Sequence, residues 1–177
     1  MRERVIHLAG GCFWGVEKYA DAIPGVLGTR TGYANSRVAQ PSYEQVCANQ
    51  TDAAEAVEVR YDADALSLDE LLTLFFEAID PTSIDRQGHD VGRQYRTGIF
   101  WTDLADEAVV RAALSQLQAS IPDATIAVEA GPLGNFYEAE DYHQHYLDKN
   151  PGGYCHLPTV MIAQAPARLA ELRRSGQ

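Results

Sequence analysis

Two periodicities alternate along this chain, and together they predict strands interleaved with helices. Residues 5–9 form a short apolar run typical of a buried strand, and apolar residues then recur at helical spacing from Val16 to Ile23. Pro24 and Gly25 predict the end of that helix. Further strands are predicted at residues 26–33, 54–61, 97–101 and 125–130, and further helices at residues 43–47, 67–79, 103–120, 139–147 and 166–174.

Strands that alternate with amphipathic helices predict an α+β fold, an α/β sandwich in which helices cover a mixed sheet with a ferredoxin-like core. The 177 residues suit a single domain over residues 1–177. A chain of about 150 residues already buries roughly 68–70% of its unfolded surface, which is enough for a real core. From Gly131 onward polar, aromatic and glycine residues predominate, so we expect a coil-rich C-terminal arm.

The net charge of −11 argues against nucleic acid or an anionic membrane as a partner, because both require clustered Lys and Arg. The segment after Met1 becomes strand-like at once, which leaves no room for the apolar region of a secretory signal. No run approaches about 18 apolar residues, the length of a membrane span. We therefore expect a cytoplasmic monomer whose macromolecular partners are proteins.

The chain has three cysteines, Cys12, Cys47 and Cys155, and their odd number argues against a disulfide framework. It favours a reactive thiol or a transient catalytic disulfide. No C-x-x-C pair or zinc-type spacing occurs, and His143 and His145 are two residues apart, so on a helix they face different ways. We therefore expect neither a metal nor a cofactor. Cys47 shares the apolar face of its short helix and is expected to be a core residue.

The segment Gly10–Gly15 carries the strongest candidate chemistry. The first strand runs into a glycine pair that can turn sharply, so Cys12 is expected at the N-terminus of the first helix. Unpaired amides and the helix dipole favour a thiolate at that position. Phe13 and Trp14 stand where the helix has barely begun, and we expect them to wall a small apolar pocket. A second thiol, Cys155, follows a flexible, glycine-rich turn.

A carboxyl group and a polar loop are the next candidates. Alternation along residues 54–61 places Glu55 on the face that should be buried. Burial raises a carboxyl pKa, so Glu55 is a candidate proton donor near neutral pH; the alternative is a strand-end glutamate that pairs with a lysine. The long polar loop at residues 82–96 is typical of a functional segment. In it, Tyr95 precedes a strand that can aim its hydroxyl, and Asp90 can orient polar groups or a water.

The segment Gly-Cys-Phe-Trp-Gly resembles the signature of type A peptide methionine sulfoxide reductases. The resemblance extends over nearly the whole chain. It matches Glu55 in Ala-Glu-Ala-Val, Tyr43 in Pro-Ser-Tyr, Asp90 and Tyr95 in Gln-Gly-His-Asp-Val-Gly-Arg-Gln-Tyr, and Cys155 in Gly-Tyr-Cys. The chain departs from the family pattern at His89, where members usually have Asn, and in having no cysteine after Cys155.

The resemblance implies the reduction of methionine S-sulfoxide, free or in proteins, as a repair after oxidation. Cys12 would attack the sulfoxide sulfur while Glu55 donates a proton and Tyr43 and Tyr95 hold the oxygen. The two aromatic residues after Cys12 would contact the methyl group of the substrate. Cys155 would then attack the Cys12 sulfenic acid, and thioredoxin would reduce the resulting Cys12–Cys155 disulfide.

Two other functions remain open from the residues themselves. A cysteine-dependent hydrolase or acyltransferase would use His143 or His156 as its base and would need no second cysteine. A binding protein would use the aromatic pocket for oxidised or apolar peptides without any chemistry at Cys12. Replacement of Cys155 separates the hydrolase from the reductase, and replacement of Cys12 separates the binding protein from both.

Overall fold

A computed structural model describes residues 1–176, with a mixed six-stranded sheet at its centre. The strands are β1 (Glu3–Gly10), β2 (Val26–Ala34), β3 (Ala54–Asp62), β4 (Arg86–Gln87), β5 (Asp90–Val91), β6 (Thr97–Trp101), β7 (Glu129–Pro132) and β8 (Phe136–Glu138). The helices are α1 (Phe13–Asp21), α2 (Tyr43–Cys47), α3 (Leu68–Glu77), α4 (Glu107–Ser120), α5 (Tyr146–Lys149) and α6 (Thr159–Ser175).

The strand order in the sheet is β7-β6-β1-β3-β2-β8, and all neighbours are antiparallel except β6 and β7. The four central strands come from the succession β1, α1, β2, β3, α3, β6. This is the β-α-β-β-α-β arrangement of ferredoxin-like folds. The expected α+β fold with a ferredoxin-like core is therefore confirmed. β4 and β5 pair separately as a small hairpin.

The main core lies between the sheet and the helices α1 and α3. The apolar stripe of α3 is buried, since Leu71 and Leu72 are 0% exposed and Phe75 is 2% exposed. Complete burial of such a side chain contributes roughly 1.5–3 kcal/mol. α4 and α6 contact α3, and together these layers hold the carboxyl end of β1, where Cys12 follows, in a fixed place.

The helices predicted at residues 43–47 and 67–79 form as α2 and α3, but α2 places its cysteine differently from the prediction. Ser67 with Glu70 forms a capping box at α3, and Ser42 begins α2 in the same way. The buried residue of α2 is Val46, whereas Cys47 is exposed. The expectation that Cys47 is a core residue is wrong, because this short helix packs on the core through Val46 and Tyr43 and leaves Cys47 exposed.

The strand expected at residues 125–130 is also wrong in its position. β7 begins only at Glu129, where it pairs in parallel with Gly98 of β6. The preceding amides are bound elsewhere. Ile126 donates its N–H to Oε1 of Gln118 over 3.0 Å, and Ala127 donates to the carbonyl of Pro81 over 2.6 Å. Because these donors are already used, that segment cannot join the ladder.

The single helix expected at residues 139–147 does not form. A 3-10 turn at Asp141–His143 and the short helix α5 are separated by His145, whose φ of 51° is left-handed. The N–H of His145 donates to Oε2 of Glu17 over 2.8 Å. Gln144 bonds the N–H and the carbonyl of Thr31 through its side chain, each at 2.9 Å. These contacts to α1 and β2 outweigh helix formation along the arm.

The last helix is longer than its pattern suggests. α6 spans 17 residues with Pro166 inside it, although only residues 166–174 were expected to be helical. Proline lacks the N–H that would donate to the carbonyl one turn earlier, so it normally marks a helix start. Here Ala165 and Leu169 are buried in the main core and hold the helix together across the proline. No helix among residues 1–176 has both the length and the apolar character needed to cross a membrane.

Candidate active site

Cys12 lies at the junction between β1 and α1. Gly11 makes the turn with a φ of 90°, and a Cβ there would lie 2.7 Å from Cβ of Gln87, so only glycine fits. Cys12 is the N-cap residue of α1 and is 7% exposed. The predicted position of Cys12 at a helix N-terminus is therefore confirmed. Its thiol is free, as are those of Cys47 and Cys155.

Glu55 reaches the same place from β3. Its side chain is 1% exposed, and Oε2 accepts the main-chain N–H of Phe13 over 3.1 Å. Burial raises the pKa of Glu55 to about 8. The hydrogen bond from the Phe13 N–H lowers the pKa by less than burial raises it, and the charge of Asp90 makes a still smaller upward contribution. Glu55 is thus a neutral acid at pH 7, as its position on the buried face predicted.

The ionisation state of Cys12 differs from the expectation. Burial raises the pKa of the Cys12 thiol far above its usual value, and a charge on Glu55 raises the pKa further. The amides of Trp14 and Gly15 at the helix start lower the pKa, but by less. The prediction that Cys12 is a thiolate in the free protein is therefore wrong, because loss of solvent outweighs the helix N-terminus.

Two tyrosines stand around this acid and thiol. Tyr43 begins α2, and Tyr95 ends a 3-10 turn at Arg93–Tyr95 directly before β6. Burial raises the pKa of each hydroxyl, and the charge of Glu55 raises both further. Both hydroxyls are therefore proton-bearing hydrogen-bond donors at neutral pH. Tyr43 and Tyr95 are half-buried, and both hydroxyl groups are close enough to Glu55 to be affected by its charge.

The loop at residues 82–96 is ordered by ion pairs. Arg93 bonds Asp52 over 2.8 Å, Asp85 over 3.1 Å and Glu129 over 3.2 Å. Asp90 lies on β5 in the small hairpin, and its charge raises the pKa of both Glu55 and Cys12. The structure therefore brings together Cys12, Glu55, Tyr43, Tyr95 and Asp90.

Aromatic rings form one side of the site. Phe13 is 1% exposed, and its ring centroid lies 5.0 Å from that of His143. Trp14 stacks on Tyr146 at 3.7 Å, and its Nε1–H donates to Nδ1 of His143 over 2.9 Å. The ring of Tyr43 lies 4.6 Å from the same histidine. Two arm residues that sequence periodicity did not assign to the site, His143 and Tyr146, therefore pack against Phe13 and Trp14.

His143 is poorly suited to the role of base in a hydrolase. It is 0% exposed, burial lowers its pKa, and its Nδ1 already accepts the indole N–H of Trp14. Its neighbours are aromatic rings. Glu140, another residue not assigned from the sequence, accepts the Tyr33 hydroxyl over 2.8 Å and the Tyr43 N–H over 3.0 Å. His143 and Glu140 therefore hold the C-terminal arm against the site. Neither could be assigned from the sequence, because the arm is irregular and has no hydrophobic periodicity.

Cys155 approaches from the C-terminal arm. A Cβ on Gly15 would lie 3.3 Å from its Sγ, and Gly15 follows Cys12 by one turn of α1. The adjacent Tyr154 donates its hydroxyl to Oδ2 of Asp90 over 3.0 Å. The two thiols therefore stand at the same end of one helix, although they are 143 positions apart in the sequence.

Outside this site, three ligand-type side chains of the described residues come together where the arm meets α1. Candidate ligand atoms of Glu17, Asp21 and His145 lie within 4.8 Å of one another. Thr29 donates to both carboxylates, and the His145 ring lies 3.1 Å from Asp21. These groups bind one another, so the cluster is an anchor for the arm.

Two neighbouring free thiols, with a carboxyl group of raised pKa beside the first, are suited to sulfur redox chemistry. A cysteine hydrolase needs instead a base next to one thiol. The family model described as "Peptide methionine sulfoxide reductase" matches residues 4–171. The chain belongs to this family.

Relatives and solved structures agree with this assignment. Peptide methionine sulfoxide reductase MsrA of Lachnoclostridium phytofermentans is 53% identical over 154 residues, which cover 87% of this chain and 92% of that protein. Methionine sulfoxide reductase A of Corynebacterium diphtheriae superposes with a TM-score of 0.80 at 38% identity, covering 86% of this chain and 77% of that one.

A yeast protein has been solved in several states. Mxr1 of Saccharomyces cerevisiae in reduced form superposes with a TM-score of 0.83 at 38% identity, covering 89% of this chain and 91% of that one. Mxr1 in complex with Trx2 superposes with a TM-score of 0.58 at 26% identity, covering 82% and 85%.

Proposed function

We propose that the protein reduces methionine sulfoxide to methionine, free and in proteins, and that it acts on the S epimer. The observation that carries this proposal is the position of Glu55, an acid neutral at pH 7 whose carboxyl group is bonded to the amide that follows Cys12. A sulfoxide sulfur becomes electrophilic only when its oxygen is protonated or strongly hydrogen-bonded. A buried thiol beside a neutral acid meets that requirement.

The first step consumes the thiol of Cys12. The sulfoxide oxygen accepts hydrogen bonds from the hydroxyls of Tyr43 and Tyr95 and the proton of Glu55, while the substrate methyl group contacts the aromatic wall. The Cys12 sulfur bonds to the sulfoxide sulfur. The hydroxyl group then transfers from the substrate sulfur to the Cys12 sulfur as the S–S bond breaks, so methionine leaves and Cys12 becomes a sulfenic acid. The thiol proton of Cys12 passes to Glu55, so Glu55 is protonated again and this step neither gains nor releases a proton.

The second step uses Cys155. Its sulfur attacks the sulfenic acid of Cys12, water leaves, and a Cys12–Cys155 disulfide remains. We propose thioredoxin as the dithiol that reduces this bond; the structure of Mxr1 in complex with Trx2 supports the choice. Because the sequence contains no cysteine after Cys155, thioredoxin would attack the Cys12–Cys155 bond directly.

We further propose that the protein is a monomeric, single-domain repair enzyme of the cytoplasm that needs no bound cofactor. Three free cysteines suit a reducing compartment, where dithiol reductants are available. The family match over residues 4–171 supports one domain.

One turnover without reductant tests the proposal. The protein is mixed with excess methionine S-sulfoxide, and methionine and protein mass are measured together. We expect one equivalent of methionine and a protein lighter by two hydrogen atoms, with a Cys12–Cys155 peptide after digestion. Cys155→Ser should also release one equivalent, and its product should be heavier by one oxygen atom. Continued turnover by Cys155→Ser, or methionine formation by Cys12→Ser, would contradict the assignment.

A further inference from the structure

The ring of His156 is inserted against the first turn of the active-site helix. A Cβ on Gly11 would lie 3.2 Å from its Nε2, and a Cβ on Gly15 would lie 2.8 Å from its Nδ1. These two glycines flank Cys12 in the signature segment. Their missing side chains therefore make room for a histidine that follows Cys155 directly.

The hydrogen bonding of this ring defines its tautomer. Nε2 lies 3.1 Å from the carbonyl oxygen of Gly10, and a carbonyl can only accept. Nε2 therefore carries the proton, and Nδ1 presents a lone pair. Nδ1 is buried and has no hydrogen-bond partner among the described residues. A buried acceptor without a donor lowers the stability of the folded protein, and such groups often have a functional role.

The unpaired Nδ1 and the second thiol both border the position of a missing side chain on Gly15. Nδ1 of His156 and Sγ of Cys155 lie 2.8 Å and 3.3 Å from one point, the Cβ position that Gly15 leaves vacant. Cys12 is one turn away on the same helix. Asp90 is the charged group that acts on His156, and burial lowers the histidine pKa more than Asp90 and the Gly10 carbonyl raise it. The imidazole is therefore neutral and able to accept a proton at pH 7.

We propose that His156 accepts the thiol proton of Cys155 as Cys155 attacks the Cys12 sulfenic acid. The S–H bond of Cys155 and the S–O bond of Cys12 break, and one S–S bond forms. The proton on Nδ1 then joins the departing oxygen, which leaves as water, so no further oxidant or proton source is needed. Cys155 is oxidised and Cys12 is reduced. This inference rests on the proposed function, and it concerns the second step alone.

The test separates the two steps in His156→Gln. The side-chain amide of glutamine can still donate to the Gly10 carbonyl but cannot accept a proton at Nδ1. With methionine S-sulfoxide as probe, the methionine burst reports step one, and dimedone trapping of the sulfenic acid against disulfide formation reports step two. We expect an unchanged burst and disulfide formation slower by roughly 100-fold or more.

The pH profile provides a readout that a structural role would not change. Wild-type disulfide formation should fall at low pH as His156 becomes protonated, whereas the rate in His156→Gln should lack that fall. Equal rates and profiles for the two proteins would overturn the proposal. If the variant does not fold, the wild-type pH profile alone tests the proposal. A rate of disulfide formation that does not change at low pH would overturn the proposal. A lost burst in wild type would instead refute the proposed function.

Discussion

The main-chain N–H of Phe13 donates a hydrogen bond to Oε2 of Glu55 across 3.1 Å. The bond joins β3 to the first turn of α1 and holds the carboxyl group beside the residue that follows Cys12. Because Oε2 is the acceptor, Oε1 is left to carry the proton. Acid and thiol are thereby fixed at one place by the main chain, before any substrate binds.

Replacement of this acid should remove the proton transfer. We expect Glu55→Gln to lower the rate of methionine formation roughly 10²–10⁴-fold, because an amide cannot give up a proton to the sulfoxide oxygen. Wild-type activity should decline as pH rises above about 8, where Glu55 ionises, and the variant should lack that decline. Rates measured from about pH 6 to 9 check both statements, and equal rates for the two proteins would remove the acid role.

The same pKa makes a prediction for stability. The carboxyl group ionises near 4.5 in the unfolded chain and near 8 in the folded protein. Below pH 4.5 it is protonated in both states, and between these values only the unfolded state loses its proton, so folding stability falls as pH rises.

Glu55→Gln cannot ionise, so its free energy of unfolding should increase relative to wild type across this range. Each pKa unit corresponds to about 1.36 kcal/mol, and the gain is limited to several kcal/mol. Urea unfolding at pH 5 to 8, a range chosen to lie roughly between the two pKa values, measures it. A difference between the two proteins that stays constant with pH would show that the Glu55 pKa is not raised by folding.

A side chain on Gly15 should block the approach of the second thiol. The Cβ of Gly15→Ala would lie 2.8 Å from Nδ1 of His156 and 3.3 Å from Sγ of Cys155. We expect the methionine burst to persist while disulfide formation slows, as followed by mass spectrometry. Gly152→Ala is the matched control, because a Cβ there meets nothing within 4 Å. Equal slowing in both variants would count against the assigned contact.

Exposure and burial set the order in which the thiols react. Cys47 is exposed and Cys12 is 7% exposed with a raised pKa. We expect iodoacetamide to modify Cys47 before Cys12 in the reduced protein at neutral pH, which peptide mapping resolves over time. Faster modification of Cys12 would show that its thiol ionises more readily than its burial allows.

Cys47→Ser should keep full activity and change the free energy of unfolding by no more than about 0.5 kcal/mol, as for most exposed positions. Thermal melting and steady-state turnover provide the check. Loss of activity in a folded Cys47→Ser protein would place this thiol in the reaction.

The sequence by itself determined those features that depend on neighbouring residues. The glycine turn before Cys12, the buried face of the strand that carries Glu55 and the serine caps of α2 and α3 follow from local spacing and conformational preference. The family resemblance could also be seen in the sequence, because the residues of the signature at positions 11–15 are contiguous.

Only the tertiary structure decided the ionisation of Cys12, the exposure of Cys47 and the path of the arm through His145. Each depends on groups distant in the sequence: the layers that exclude water from Cys12, the core residues against which Val46 and Tyr43 of α2 pack, and the Glu17 carboxylate that binds the His145 amide. Desolvation and long-range hydrogen bonds arise only when the chain has folded. Local pattern therefore placed Cys12 and Glu55, and packing set their protonation and brought the second thiol to them.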